Sequence, residues 1–358
     1  MESASTPIPA GAGAGVKLQG SGGSLPGWAT WGVPGASAAV TAAVLLATGA
    51  FTIALTLVSG TVLSALVLYV WSRAVEGPRR ALDRMMTLWI AAAFGLAMIP
   101  LFSLIFEVAK RGIPGLSLEF FTSDARGVVG GGGAAHAIVG TLVITAVASV
   151  ISVPIGIMAA IYLNEYGTGR LRRALTFFVD VMTGIPSIVA GLFAYALFEI
   201  FFGPGIRLGV MGSVALSVLM IPIVIRSAEE VLKIVPDHLR EAAYALGTPK
   251  WKTITKIVLP TAFAGLVTGV MIAIARIVGE TAPLLVTTGV VDSMNTDPFN
   301  GRMQNLAVYA YNEYRSPGVM KQAAYDKAWA AAFTLIAIVM ILNVAARFVY
   351  RRYKTEIR

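Results

Sequence analysis

Apolar residues run through this chain in long blocks separated by short polar segments. A hydrocarbon core about 30 Å thick is crossed by roughly 20 helical residues. Runs of that kind occupy residues 36–58, 86–108, 137–163, 175–202, 210–225, 257–286 and 328–349, with a shorter one at 60–71. The pattern predicts an all-α polytopic membrane protein, because only a helix satisfies its own backbone groups in lipid. The last six full-length runs predict a core of six spans over residues 75–358. The runs at 36–58 and 60–71 are separated only by Ser59-Gly60 and predict one or two additional N-terminal spans within 36–74, read as a hairpin. Pro154, Pro186, Pro222 and Pro283 fall inside the core runs. Each reads either as a packing kink or as a broken helix lining a pathway. Residues 1–35 are rich in Gly, Ala, Ser and Pro and carry only Glu2 and Lys17 as charges, which predicts a disordered tail. No basic cluster leads into the first apolar run, so the segment does not read as a cleaved signal peptide. The glycines at 130–133 read as a flexible connector before the span at 137–163.

One polar segment stands apart. Between the runs at 210–225 and 257–286, residues 233–256 are basic and amphipathic. Asp237, preceded by Pro236, reads as an N-cap, and Leu239, Ala242, Ala243 and Leu246 then recur at helical spacing to form a small apolar face. Gly247 suits a left-handed helix end, and Thr248-Pro249 begins a second helix. A face about two turns long does not hold a helix by itself; a groove in a partner would bury it. Three readings compete: a DNA-binding helix-turn-helix, a plain connector, and a docking helix for a soluble partner. The second helix runs straight into a membrane span, which disfavours DNA.

Charge then sets orientation. The chain has 358 residues, 56% hydrophobic and 13% charged, with a net charge of +9; its mean hydropathy is +0.76. Soluble proteins average about 25% charged residues. The positive balance is what basic cytoplasmic loops produce, and it implies no nucleic-acid partner. Arg79, Arg80 and Arg84; Arg170, Arg172 and Arg173; Lys233, Arg240, Lys250, Lys252 and Lys256; and Arg347, Arg351, Arg352, Lys354 and Arg358 all fall on one side if the six core runs cross. That places the segment 233–256 and the C-terminus in the cytoplasm. The chain has no cysteine, and its two histidines, His136 and His238, lie far apart in sequence, so no metal site and no thiol chemistry is expected.

The sequence Glu241-Ala-Ala, three residues, Gly247, nine residues, Ile257, one residue, Leu259-Pro260 resembles the EAA loop of binding-protein-dependent ABC importers. The segments Ala137-Ile-Val-Gly-Thr-Leu, Gly184-Ile-Pro-Ser-Ile-Val-Ala-Gly191 and Ala275-Arg-Ile-Val-Gly-Glu-Thr-Ala-Pro-Leu-Leu285 are similar to phosphate ABC transporter permeases, more to the PstA than to the PstC subunit. The resemblance covers about residues 85–350. It implies a six-span core of the type I ABC importer permease kind in a bacterial plasma (inner) membrane. It also implies that Glu241, Ala242, Ala243, Leu246 and Gly247 couple to an ATPase. The implied partners are membrane lipid, a PstC-type second permease, two PstB-type ATPase subunits and a PstS-type extracytoplasmic phosphate-binding protein. The chain carries no G-x-x-x-x-G-K-[ST] loop. No cofactor and no catalytic residue are therefore expected, ATP being bound by the partner.

Charges within the apolar runs are costly: an arginine at mid-bilayer costs about 2.5–3.5 kcal/mol on insertion scales. Arg276 and Glu280 are spaced one helical turn apart in the run 257–286, and Arg226 precedes Glu229 by three residues at the end of 210–225. Guanidinium groups stay charged and bind two oxygens at once, which suits tetrahedral oxyanions. These residues also read as a structural ion pair and as an interfacial arginine. The resemblance implies that all four line a phosphate pathway. Sulfate or molybdate is the alternative cargo, and an ATP-independent transporter or channel the alternative class.

Overall fold

Because backbone N–H and C=O groups in lipid must be paired within their own segment, the described residues form helices and no strands. The computed structural model describes residues 23–126 and 132–353. The helices are α1 (Ala29–Ala47), α2 (Ile53–Val75), α3 (Pro78–Gly112), α4 (Leu118–Thr122), α5 (Ala135–Ile161), α6 (Gly169–Thr183), α7 (Ser187–Phe202), α8 (Gly209–Ile234), α9 (Asp237–Ala245), α10 (Lys250–Thr253), α11 (Leu259–Val278), α12 (Ala282–Thr287), α13 (Leu306–Arg315) and α14 (Lys321–Tyr353). Seven are long and apolar enough to cross a membrane, or eight spans if the bent pair α6–α7 counts as one. Residues 1–22 of the expected tail, Gly130, Gly131, Lys354 and Arg358, and the side chains of Arg351 and Arg352 lie outside the described residues.

The chain divides after Leu104 into two units. In the first, α1 and α2 form the expected hairpin, with Trp28 at one end of α1 against Trp71 near the end of α2 (ring centroids 5.9 Å apart). The turn falls at residues 48–52 with Gly49 at φ +70°, not at Ser59-Gly60. Ser59 and Gly60 are inside α2: the Ser59 hydroxyl donates back to the Leu55 carbonyl at 2.6 Å, and Gly60 lets α2 approach Ala38 of α1. Small residues at a helix contact in lipid are packing devices as often as breaks. For the same reason α1 starts at Ala29, seven residues inside the segment read as a tail, and carries Pro34. The corner between α2 and α3 is pinned by Glu76. Its carboxylate, 1% exposed, accepts from Arg84 Nε and Nη2 at 2.7 and 2.8 Å, from Ser72 Oγ at 2.7 Å and from the Leu25 N–H at 2.7 Å.

The second unit is built on α5 and α8, which run against each other along their length. Ile144 and Ala148 of α5 meet Leu216, Met220 and Val224 of α8, with Ala273 and Ile277 of α11 and Leu284 of α12 completing the core. Close approach comes from small residues. Ser213 and Ser217 donate to the carbonyls of Ile144 and Ala148 on α5 at 3.1 and 3.4 Å. A Cβ on Gly156 would lie 2.6 Å from Val224 Cγ1.

Two runs expected to be single spans are broken. Residues 175–202 divide at Gly184-Ile185-Pro186 into α6 and α7, which meet at a 108° bend. Residues 257–286 divide after Val278 at Gly279, and α12 starts anew with Pro283 in its first turn. Pro154 and Pro222, by contrast, sit in unbroken helices. Both breaks have a glycine ahead of the proline, Gly184 and Gly279, but Gly32 before Pro34 in the unbroken α1 shows that a glycine alone does not end a helix.

Two outcomes follow. The Arg84 guanidinium holds the Glu76 carboxyl down at about 2 against the opposing effect of burial, below its ordinary 4.5. Its stabilising contribution is complete above pH 4.5 and fades as pH falls toward 2. Thermal midpoints of wild type and Glu76→Gln, measured from pH 7 down, should therefore converge in acid; a constant gap would contradict the role. Separately, Gly156→Ala should cost about 1–3 kcal/mol by overpacking α5 on α8. Gly95→Ala, where a Cβ meets nothing within 4 Å, should not destabilise.

Candidate functional site: the α9 apex and an arginine-lined cavity

The loop between α8 and α11 folds as a short helix, a glycine turn and a second helix. Pro236, in extended conformation, ends α8 and starts α9; Asp237 is the first helical residue rather than a side-chain cap. Its carboxylate is instead drawn to Arg240 Nη1 at 3.0 Å. α9 closes on Gly247 at φ +74°, with the Gly247 and Thr248 N–H groups donating to the Tyr244 and Ala243 carbonyls at 2.9 and 3.0 Å. A side chain at that φ would be strained. Pro249 likewise flanks α10 as its cap, one residue later than expected. α10 passes through a wide π turn, Ile254–Val258, into α11. Pro260 has no N–H to offer the turn before it, which accommodates the widening.

The apolar face expected on α9 is divided by the fold. Leu239 packs on Leu232, Val235 and Val258, and Ala243 is buried. Glu241, Ala242, Leu246 and Gly247 point outward, with Leu246 87% exposed. Ala243 is thus excluded from any direct docking surface: its small side chain seats α9 on the bundle instead. Tyr244 and Trp251 join the outer face. Sequence reading missed both, because helical spacing identifies a stripe and not which half of it the bundle covers.

Arg240 anchors the apex, a role the sequence did not show. Its Nε and Nη2 donate to Glu165 Oε1 at 3.2 and 2.9 Å, Nη2 also to the Leu232 carbonyl at 3.1 Å, and Nη1 to the Val235 carbonyl at 2.7 Å. The two side chains are 12% and 5% exposed. Glu165 lies in a π turn, Tyr162–Tyr166, at the end of α5. Lys250 stacks over Tyr166 of the same turn at 5.0 Å.

The four charged residues expected in one pathway occupy two places. Arg276 and Glu280 are not an intrahelical pair: α11 ends at Val278, and the Glu280 N–H donates to the Ile277 carbonyl from beyond the helix. Both open onto one small cavity of about 180 Å³, lined also by Thr183 and Ser187 at the α6–α7 bend and by Pro222 and Ile223 of α8. Among the described residues no ion pair occupies Arg276. Arg226 is one helical turn further along α8 and is paired. Its Nη1 donates to Glu229 Oε2 at 2.9 Å and its Nη2 to Asp180 of α6. Glu229, buried, also accepts from Lys233 Nζ at 2.8 Å. Asp180, which sequence reading did not place in the pathway, is Arg226's partner on a second helix. The available signal was a carboxylate within an apolar run, one of two there with Glu199.

A bundle of apolar helices with an exposed loop helix at one end and a cavity lined by an arginine and a carboxylate is suited to transport across a membrane. Residues 152–358 match the family described as "Binding-protein-dependent transport system inner membrane component". The chain is 45% identical over 281 residues to phosphate transport system permease protein PstA 1 of Mycobacterium tuberculosis (strain CDC 1551 / Oshkosh), covering 76% of this chain and 91% of that relative. It is 40% identical over 288 residues to the phosphate transport system permease protein PstA of Yersinia pestis, covering 79% and 94%. In fold alone it is similar to a bacterial alginate ABC transporter in complex with an alginate pentasaccharide-bound periplasmic protein (TM-score 0.55, 15% identity, 76% of this chain and 96% of that one). The chain belongs to this permease family and, within it, to the PstA type of phosphate ABC transporter permease.

Arg240→Ala should strand the buried Glu165 carboxylate and cost about 3 kcal/mol or more. Hydrogen exchange at residues 237–247 should accelerate selectively. Unchanged protection there would show that α9 is seated without Arg240.

Proposed function

We propose that this chain is one membrane-spanning half of an ATP-driven importer of inorganic phosphate, with α9 as the helix that receives the motion of an ATPase. The observation that carries the reading is the division of α9. One side is locked to the bundle through Arg240 and Ala243, and the other presents Ala242, Tyr244 and Leu246 to solvent, with Trp251 of α10 exposed nearby in sequence. A rigidly seated helix with an exposed apolar edge is what a docking partner needs in order to push on the bundle. The chain has no phosphate-binding loop of its own, so nucleotide hydrolysis belongs to the partner. The assembly comprises this subunit, a PstC-type permease, two PstB-type ATPases on the α9 side, and a PstS-type binding protein on the opposite side. On this reading the α9 side and the C-terminus are cytoplasmic, in a bacterial inner membrane.

The cavity supplies the anion site. Arg276 offers a fork of donors with no competing ion pair among the described residues, and Glu280, lining the same cavity, limits how tightly an anion is held. Ser187 adds a hydroxyl group that can donate to an anion oxygen, whereas the Thr183 hydroxyl donates to the Asp180 carbonyl at 2.7 Å and offers only its lone pairs. The names of the 45% and 40% identical relatives support phosphate as the cargo.

The test is phosphate uptake by proteoliposomes holding the complete complex. Arg276→Ala should leave assembly and ATPase content intact and lower uptake at least about tenfold, as loss of a charge-assisted hydrogen bond worth roughly 1.5–3 kcal/mol implies. Leu246→Asp should instead release the ATPase during purification. Full phosphate uptake by either variant, or uptake with no ATPase bound, would overturn the proposal.

A further inference from the structure

We propose that the Asp180–Arg226 ion pair is a gate latch. It closes the arginine-lined cavity toward the α9 end of the bundle and opens when the transported anion replaces Asp180 on Arg226. The inference rests on the anion-transport reading above and adds a residue and a step to it.

Position comes first. Along α8 the cavity is lined by Leu219, Pro222 and Ile223, and Arg226 follows on the same face one turn nearer α9. Along α6 the lining residues are Met182 and Thr183, and Asp180 precedes Thr183 by one turn toward the same end. The pair therefore bridges α6 and α8 one turn beyond the cavity, on the path between it and the α9 end.

The strength of the hold is lopsided. Glu229 is 8% exposed and fixed by Lys233 as well as Arg226. Asp180 is 58% exposed and, among the described residues, Arg226 is its only ion-pair partner. An arriving anion that needs Arg226 donors will displace the carboxylate that returns to water at little cost, which is Asp180. The helix that Asp180 belongs to is also lightly held. Val179 is the one buried residue of α6, packed on Ile225, and α6 ends at the 108° bend into α7. Releasing Asp180 removes the polar tie between α6 and α8 and leaves the buried Val179 and the half-buried Leu175 to hold α6 there. A substrate anion thus unlocks its own exit, and the exposed carboxylate resets the latch when the anion leaves.

The experiment uses the complete complex in proteoliposomes loaded with inorganic phosphate. Without ATP, wild type should retain its load, Asp180→Asn should leak several-fold faster, and Asp180→Glu should restore tightness, which a merely structural role would not require. A second readout is independent of transport. The chain has no cysteine, so Ser187→Cys places a single thiol in the cavity. A membrane-impermeant maleimide applied from the α9 side of inverted vesicles should label it faster in the Asp180→Asn background. If wild type imports phosphate with ATP while Asp180→Asn neither leaks nor labels faster, the latch is overturned and the transport reading stands. If wild type moves no phosphate, the transport reading fails, and the labelling rates alone decide whether Asp180 closes the cavity.

Discussion

The fork of hydrogen bonds from Arg240 is the contact on which the working geometry of this bundle depends. α9 has nine residues and turns two small faces to its surroundings, too little to hold a helix by itself. Arg240 supplies what the apolar seat of Leu239 and Ala243 lacks. It joins α9 to the last turn of α8 through two carbonyls and to the end of α5 through Glu165. Those carbonyls belong to a helix terminus and need donors from outside the helix. The guanidinium meets them and a buried carboxylate at once, which an ammonium could not do with the same geometry. A force on α9 is thereby delivered to α5 and α8 together, the pair that forms the centre of the second unit.

α8 is the shared wall of everything that follows. Its small and hydroxyl residues let α5 close in on one side, and its Pro222–Ile223 turn lines the cavity on another. Its last turns change character from apolar to charged, with Arg226, Glu229 and Lys233 spaced to reach one another on a single helix. The cavity exists because two neighbouring helices stop short. The breaks at Gly184-Ile185-Pro186 and at Gly279 bring chain ends, two hydroxyls and two charges to one cavity. Interrupted helices that point polar groups at a midplane site are a recurrent solution for ion transport in lipid.

The first unit has its own logic. Its hairpin is held by small-residue packing around Gly60 and by one fully satisfied carboxylate at the α2–α3 corner. Glu76 shows how a charge survives near a membrane: each of its lone-pair directions is used, so burial carries no unpaired group. Most of the helix surfaces in this unit remain apolar and exposed, as helices facing lipid require.

The sequence by itself determined the rough limits of most spans, the helix–glycine–helix loop, and which charges fall within apolar runs. Each of these is a local property: hydropathy over about 20 residues, a positive-φ glycine at 247, an arginine in an apolar run. It could not show that Ser59-Gly60 continues a helix while Gly184 ends one, because both outcomes satisfy the backbone and neighbours choose between them. Nor could it show that Ala243 faces inward while Leu246 faces out, or that Glu280 lies beyond the helix of Arg276. The decisive pairings, Arg240 with Glu165 across 75 positions and Arg226 with Asp180 across 46, join separate helices. Only the packing of those helices brings such charges together, since no pattern within one segment encodes a partner in another.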